Sequence, residues 1–443
     1  MRPRAGPDRP SLRCAFHRGT TAHVASLYPF SVQAPSGHRG AYVGLDLLAG
    51  GAEFCWDPFE SYAAGAVTNP NCWVFGEPGH GKSALIKCLL WRMAGIYGTG
   101  AGGRWFAVAD PKGEYLDIAG RLGLDVVRLS PGGSTRVNPL EDGPGTAAEP
   151  EDQRSLRRAE MVTALVATVL GRPLTQAEDA AVFASVEALG RSRSVATLAE
   201  LVGAVEQPSA ELAERMRRSP AELAGELSQV AFALDKLLSR SLRGMFDGTS
   251  TVPLRADGPG IVLDLSAVPV DSEAMPLVMV AAAGWLAQLM AGPGPQRVQV
   301  IDEAWALLGN RHTARYLQSC FKLGRTFGVA NVCVAHRPSD LGAQADDGTA
   351  TAKIATGLLA DAATKILLRQ APDQLEAASV SFGLTEPERH IVSHLARGRA
   401  LWKIAGHTAV VQHMLAASEE AMCDTDARMA GNGAPAPALA VVA

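Results

Sequence analysis

The chain has 443 residues, 47% hydrophobic and 19% charged, and its 41 Lys and Arg against 45 Asp and Glu leave a net charge of −4. That length holds one large core with an insertion, or two domains, and the charge excludes a protein that coats nucleic acid with its whole surface, though basic residues confined to a pore would escape this measure. The seven cysteines are scattered without a C-x-x-C pair, which fits reduced thiols in a cytosolic protein and argues against a structural zinc site.

Residues 1–25 carry Arg2, Arg4, Arg9, Arg13 and Arg18 among prolines, without the apolar segment of a signal peptide, and read as a disordered basic tail. Alternating runs at Ala41–Asp46 and Ala52–Pro58 predict a β-hairpin leading into an apolar strand, Cys72-Trp73-Val74-Phe75. Gly76-Glu77-Pro78-Gly79-His80-Gly81-Lys82-Ser83 follows, and a helical run opens at Ser83 and continues to about Ile96. Gly, four residues, then Gly-Lys-Ser between a strand and a helix is the P-loop pattern. Glycines let backbone N–H groups curl inward around phosphates, and the helix N-terminus adds partial positive charge. In that arrangement residues 76–83 and Ala84 line the phosphates. Lys82 reaches the β- and γ-phosphates, and the Ser83 hydroxyl ligates Mg²⁺. A plain glycine-rich turn between strand and helix is the bland alternative.

A buried strand at Arg104–Ala109 ends in Asp110-Pro111-Lys112-Gly113-Glu114-Tyr115. Charged residues at the carboxyl end of a core strand sit where α/β sheets bind ligands, so Asp110 and Lys112 are nucleotide-binding candidates; a solvated turn is the other reading. Leu124–Leu129 makes a third strand, Val137–Leu140 closes this half, and Glu141–Asp152 is a Gly/Pro-rich acidic linker. From Asp152 to about Met245 the pattern is helical throughout, an all-α insertion of about four helices. It is punctuated by capping boxes at Thr175…Glu178, Thr197…Glu200 and Ser219…Glu222.

The α/β pattern resumes with a strand at Ile261–Leu265 and an apolar helix at Ala274–Ala291, whose Pro276, Gly284 and Gln288 favour burial over a membrane span. The strand Val298–Ile301 ends in Asp302-Glu303. Beside a P-loop, Asp302 holds Mg²⁺ through water, and Glu303 orients and deprotonates the attacking water. A helix over Thr313–Phe327 carries Lys322 and Arg325 near its end, three apart on one face. The next strand, Val329–Ala335, ends in His336, placed to sense the γ-phosphate or to be an ordinary loop histidine. A strand at Ala363–Arg369, a helix capped at Thr385-Glu386-Pro387-Glu388 and a hairpin of Arg399–Ile404 with Thr408–Gln412 complete the pattern, and residues 426–443 read as a disordered Ala/Pro tail.

These motifs together resemble the HerA–FtsK superfamily of P-loop ring motors, in particular the conjugative type IV secretion traffic ATPases. The likeness is carried by GEPGHGKSALIK at 76–87, DPKGEY at 110–115, VNPL at 137–140, VIDEAW at 300–305, GRTFGVANVCVAH at 324–336, the stretch 364–388 and GRALWKIAGHTAVVQ at 398–412. The resemblance implies a RecA-like α/β core with a mostly parallel sheet, in two parts (26–150 and 246–425) around the all-α insertion at 151–245. It implies ATP and Mg²⁺ as cofactors, ATP hydrolysis as the activity and a homo-oligomeric ring, a hexamer, as the assembly. Membrane-associated secretion or conjugation channel proteins, and DNA, are the implied partners, with the chain cytoplasmic and peripheral on the membrane's inner face. It also implies an arginine finger near a subunit edge; Arg325 fits, with Arg369 as its competitor. Two features depart from the pattern. The N-terminal domain that often precedes this motor is missing, and His336 stands where Gln is common, so sensing is expected to depend on pH. A DNA-translocating coupling ATPase of the same superfamily and a slowly hydrolysing scaffold are the rival readings.

Overall fold

The computed structural model describes residues 39–144, 146, 149–192, 196–252, 257–291, 293–308, 311–337 and 350–423. The expected tails at 1–25 and 426–443 lie outside the described residues. Two strands, β1 (Ala41–Asp46) and β2 (Ala52–Trp56), form the expected hairpin. It does not run straight into the P-loop strand, because a short helix, α1 (Pro58–Ala63), intervenes. Asp57 starts that helix by accepting the N–H groups of Phe59 and Glu60, both at 2.9 Å, with Pro58 in the first turn.

The first core part then contains β3 (Cys72–Phe75), α2 (Lys82–Tyr97), β4 (Arg104–Asp110), α3 (Leu116–Leu122) and β5 (Asp125–Arg128). Val137–Leu140 is irregular rather than a strand, and it works as a side-chain joint. The N–H of the buried Asn138 donates to Ser250 Oγ at 2.9 Å, and its amide to the Ala196 carbonyl at 2.7 Å.

Among the described residues six helices follow where about four were expected: α4 (Glu151–Leu170), α5 (Gln176–Ser192), α6 (Leu198–Glu206), α7 (Ala210–Arg215), α8 (Pro220–Glu226) and α9 (Ser228–Lys236). The extra breaks fall at Ser209, whose hydroxyl caps α7, and at Leu227, which separates α8 from α9 without a side-chain cap. All three anticipated capping boxes form.

Next come β6 (Gly260–Asp264), α10 (Ala274–Met290), β7 (Gln296–Ile301), α11 (Trp305–Leu308), α12 (Arg311–Gly324) and β8 (Val329–Ala335). The chain continues through α13 (Ala350–Ala360), β9 (Thr364–Leu367), α14 (Leu375–Phe382), α15 (Glu386–His394), β10 (Arg399–Ile404), β11 (His407–His413) and α16 (Ala417–Cys423). Helix α10 is buried along nearly its whole length, and no described helix is long and apolar enough to cross a membrane.

The strands form an 11-stranded sheet in the order β2-β1-β11-β10-β9-β3-β8-β7-β4-β6-β5. From β9 to β5 every pairing is parallel, and from β2 to β9 every pairing is antiparallel. Alternation along β3 splits the apolar residues between two faces. Trp73 and Phe75 join a cluster that includes α4–α6, α10 and α12, while Cys72 and Val74 join one formed with α2, α3 and the hairpin. The inserted helices therefore complete the cover of one sheet face and share its core.

Candidate active site

Parallel pairing of β3 with β8, and of β7 with β8 and β4, brings the carboxyl ends of these strands to one edge of the sheet. There the P-loop leaves β3, Asp110 ends β4, and Asp302-Glu303 and His336 follow β7 and β8. The sequence thus delivers four separated motifs to one place through topology alone.

The loop between β3 and α2 turns sharply. Gly79 and Gly81 adopt φ of 78° and 101°, conformations that a side chain disfavours. A Cβ on Gly76 would stand 2.7 Å from Leu368 Cβ on the strand beside it, so this position also requires glycine. The Lys82 ammonium folds back onto the carbonyls of Gly76 (2.5 Å) and Glu77 (3.1 Å). Burial lowers its pKa to about 8, against the pull of Asp302 and Glu303. A buried ammonium held only by loop carbonyls matches an anion that takes their place. Ser83 and Ala84 open α2 with their backbone at its N-terminus, and Pro78 stands in the loop ahead of them. His80 lies 3.5 Å from Glu77 and its carbonyl accepts the Gly398 N–H at 3.3 Å, tying the loop tip to the start of β10.

Glu303 is 3% exposed and has φ of 53°, a left-handed conformation that a residue with a side chain adopts at a cost and that aims its carboxylate back over the sheet edge. One carboxylate oxygen, Oε1, receives His336 Nε2 at 2.9 Å and forms an ion pair with Lys112; the other receives the indole N–H of Trp305. Burial by itself would raise the pKa of Glu303, but His336 and Lys112 outweigh it and hold the group at about 2. Lys112 Nζ also stands 3.2 Å from His336 Nε2, so the three side chains form one cluster.

The neighbouring carboxylates divide the work. Asp110, wholly buried, turns inward and accepts the N–H groups of Lys112 (3.2 Å), Glu114 (3.1 Å) and Tyr115 (2.9 Å). Both of its oxygens are spent on its own loop, so its place is to shape the turn that presents Lys112, and burial raises its pKa to about 6. Asp302 is also buried; desolvation, followed by the charges of Glu303 and Glu114, raises its pKa to about 7. Glu114 Oε2 is buried without a hydrogen-bond partner. Carboxylates crowded until one resists ionisation, with an orphaned oxygen beside them, fit a divalent cation. Among the described residues no group of three or more His, Cys, Asp or Glu could hold a metal ion by itself.

The two arginines separate. Arg369 follows β9 beside the P-loop: its carbonyl accepts the Glu77 N–H at 3.2 Å and its Nε lies 3.9 Å from Glu77 Oε2. Arg325 falls just past the end of α12, exposed in the turn before β8, so it does not share a helical face with Lys322 as the sequence suggested. Gly324 closes α12 early because the chain must reverse within four residues to enter β8. Entering β8 rather than leaving it, Arg325 stands at the sheet edge opposite its own P-loop.

The sheet order, the P-loop between β3 and α2, and the acid pair ending β7 define a RecA-like P-loop NTPase fold. The chain superposes on VirB4 of Thermoanaerobacter pseudethanolicus with a TM-score of 0.66 at 20% identity, over 87% of this chain and 100% of that one. Plasmid coupling protein TrwB in complex with the non-hydrolysable ATP analogue ADPNP matches at 0.52 and 18% identity, over 80% and 87% of the two chains. The same protein with ADP and Mg²⁺ matches at 0.51 and 18%, over 78% and 85%. No family model matches the sequence, and no curated protein does.

Proposed function

We propose that the chain is an ATPase that hydrolyses ATP·Mg²⁺ to drive conjugative or type IV secretion transport. The observation that carries the chemistry is the meeting of Lys82, Asp302, Glu303 and His336 at one sheet edge. Lys82 binds the β- and γ-phosphates once it leaves the loop carbonyls. Ser83 and Asp302 are the residues that would hold Mg²⁺, which when bound would neutralise charge on the phosphate oxygens. Glu303 takes the proton of the attacking water, and His336 and Lys112 hold Glu303 until a γ-phosphate competes for them. In this reading Asp110 acts through Lys112, and residues 151–245 are a subdomain inserted between core parts 26–150 and 246–425.

The transport role is supported by the motif resemblance and by fold matches to VirB4 and to a protein described as a bacterial conjugative coupling protein. A homo-hexameric ring, attachment to channel proteins on the inner face of the membrane, and DNA as a partner belong to the same proposal. The discriminating experiment is ATP turnover with and without DNA. Stimulation that grows with DNA length assigns the chain to DNA pumping; turnover indifferent to DNA, in a chain that binds channel proteins, assigns it to secretion. Absence of ATP hydrolysis under both conditions overturns the proposal.

A further inference from the structure

We propose that the cleft between α2 and the chain leaving β11 is the nucleoside pocket of the bound nucleotide, with Met414 and Leu415 as the apolar plate on which its purine base stacks. The assignment rests on the P-loop being a nucleotide site. The cleft measures about 690 Å³, within the range of small-ligand pockets, and Gly81 and Ala84 line it, so it is continuous with the phosphate loop.

Topology gives the ligand its direction. Asp302, Glu303 and His336 follow β7 and β8, on one side of β3, whereas the cleft is built by residues of β1, β11 and α16, on the other side. A triphosphate held at the N-terminus of α2 with its γ-end toward Glu303 therefore directs its other end into the cleft.

The lining suits a base rather than a second phosphate. Met414 and Leu415 are 42% and 44% exposed, among the few large apolar side chains of the described surface left uncovered. Leu85 and Cys88 lie on the α2 side. Of the two arginines that line the cleft, Arg397 precedes Gly398, which is tied to the phosphate-loop tip, and Arg92 is already neutralised by Glu419 at 2.8 Å and by the carbonyls of Tyr42 and Met414, both at 2.6 Å. Glu420 adds negative charge, which repels phosphate. His413 supplies an edge for a base. Its Nε2 accepts the Trp402 indole N–H at 3.0 Å and burial pushes its pKa down to about 3, so the neutral ring carries its proton on Nδ1.

Calorimetric titration of the full chain with ATP and with inorganic tripolyphosphate, both with Mg²⁺, tests this. The wild type is expected to prefer ATP by at least about tenfold. The double variant Met414→Asp, Leu415→Asp should lose that preference while binding tripolyphosphate unchanged; unchanged ATP affinity in it overturns the pocket alone. Silence of the wild type toward both ligands overturns the nucleotide reading and the pocket with it. A second measurement needs no variant. Cys423 lines the cleft 3.4 Å from Cys88. Its alkylation by iodoacetamide, followed by mass spectrometry, should slow at least about fivefold with ATP and not with tripolyphosphate. Equal protection by both ligands, or by neither, overturns the proposal.

Discussion

His336 Nε2 lies 2.9 Å from Glu303 Oε1, and the Lys112 ammonium pairs with the same oxygen. A carboxylate held near pKa 2 is a poor base, so in the proposed role of general base Glu303 would have to shed these partners before accepting a proton from water. Glu303→Gln should bind ATP and hydrolyse it at least ~100-fold more slowly, as expected when a general base is lost. Lys82→Ala, lacking the point charge on the phosphates, should not bind ATP productively. Near-wild-type turnover of Glu303→Gln in a single-turnover assay would show that another group activates the water.

The clamp makes Lys112 and His336 separable. If Lys112 moves from Glu303 to a γ-phosphate, Lys112→Ala should bind ADP normally and lose about tenfold or more of the preference for ATP, the size of one charge-assisted hydrogen bond. Equal loss for ADP and ATP would make Lys112 a loop-building residue only. His336→Gln keeps a donor toward the Glu303 carboxylate, so it should retain most of the turnover, whereas His336→Ala should lose about tenfold. Complete inactivity of His336→Gln with ATP binding intact would assign His336 to proton transfer instead.

Asp302 sets a pH dependence of stability. Its pKa is raised from 3.8 to about 7, so its favourable contribution is complete below pH 3.8 and is lost as pH rises through 7. Lys82 has the opposite sign: its pKa falls from 10.5 to about 8, so its contribution is present above 10.5 and lost as pH falls through 8. Between pH 5 and 7.5 Asp110, raised to about 6, and His413, lowered to about 3, slope in opposite directions, so the net slope is that of Asp302. The melting temperature without Mg²⁺ and nucleotide should fall over that window, and Asp302→Asn should remove most of the fall. ATP with Mg²⁺ should raise the melting temperature more at pH 8 than at pH 6, because the cation binds the ionised carboxylate. Parallel curves for the wild type and Asp302→Asn in differential scanning calorimetry would refute this.

What the sequence makes legible is what short-range physics determines. The P-loop is written in contiguous residues, the capping boxes are i, i+3 patterns, and the core strands are apolar runs, so all are read directly. Helix α1 announces itself only through Asp57-Pro58, a cap and first-turn proline followed by too few residues to show a period. The pairing of Lys112 with Glu303 joins positions 191 residues apart in sequence, and the left-handed turn at Glu303 belongs to a residue type that gives no such signal. Asp110 and Lys112 are found from the strand-end rule, but that Asp110 turns inward while Lys112 faces the site follows from the loop's hydrogen bonds. Trp305 and Glu114 stand inside recognisable motifs, yet only the geometry shows that one holds Glu303 and the other leaves an oxygen unpaired.

The same geometry divides the work of the two arginines. Phosphoryl transfer gains roughly 10³–10⁵ in rate from an arginine on the transferring group. Arg369, with its Nε 3.9 Å from Glu77 Oε2, is within reach of its own subunit's loop, so as a finger it would act in cis. Arg325 precedes β8 by four residues and the P-loop follows β3, the parallel neighbour of β8, so about seven strand residues, some 20 Å, separate it from its own site. As a finger, its exposed fork would therefore serve a phosphate on an adjacent subunit of the proposed ring. Subunit mixing distinguishes the two. Arg325→Ala chains, inactive alone, should regain turnover when mixed with Lys82→Ala chains, because an interface between them unites an intact P-loop with an intact trans arginine. Arg369→Ala chains mixed with Lys82→Ala chains should stay inactive, since no subunit then holds both the lysine and its cis arginine. Recovery with Arg369→Ala but not with Arg325→Ala, in rings shown to exchange subunits, would reverse the assignment.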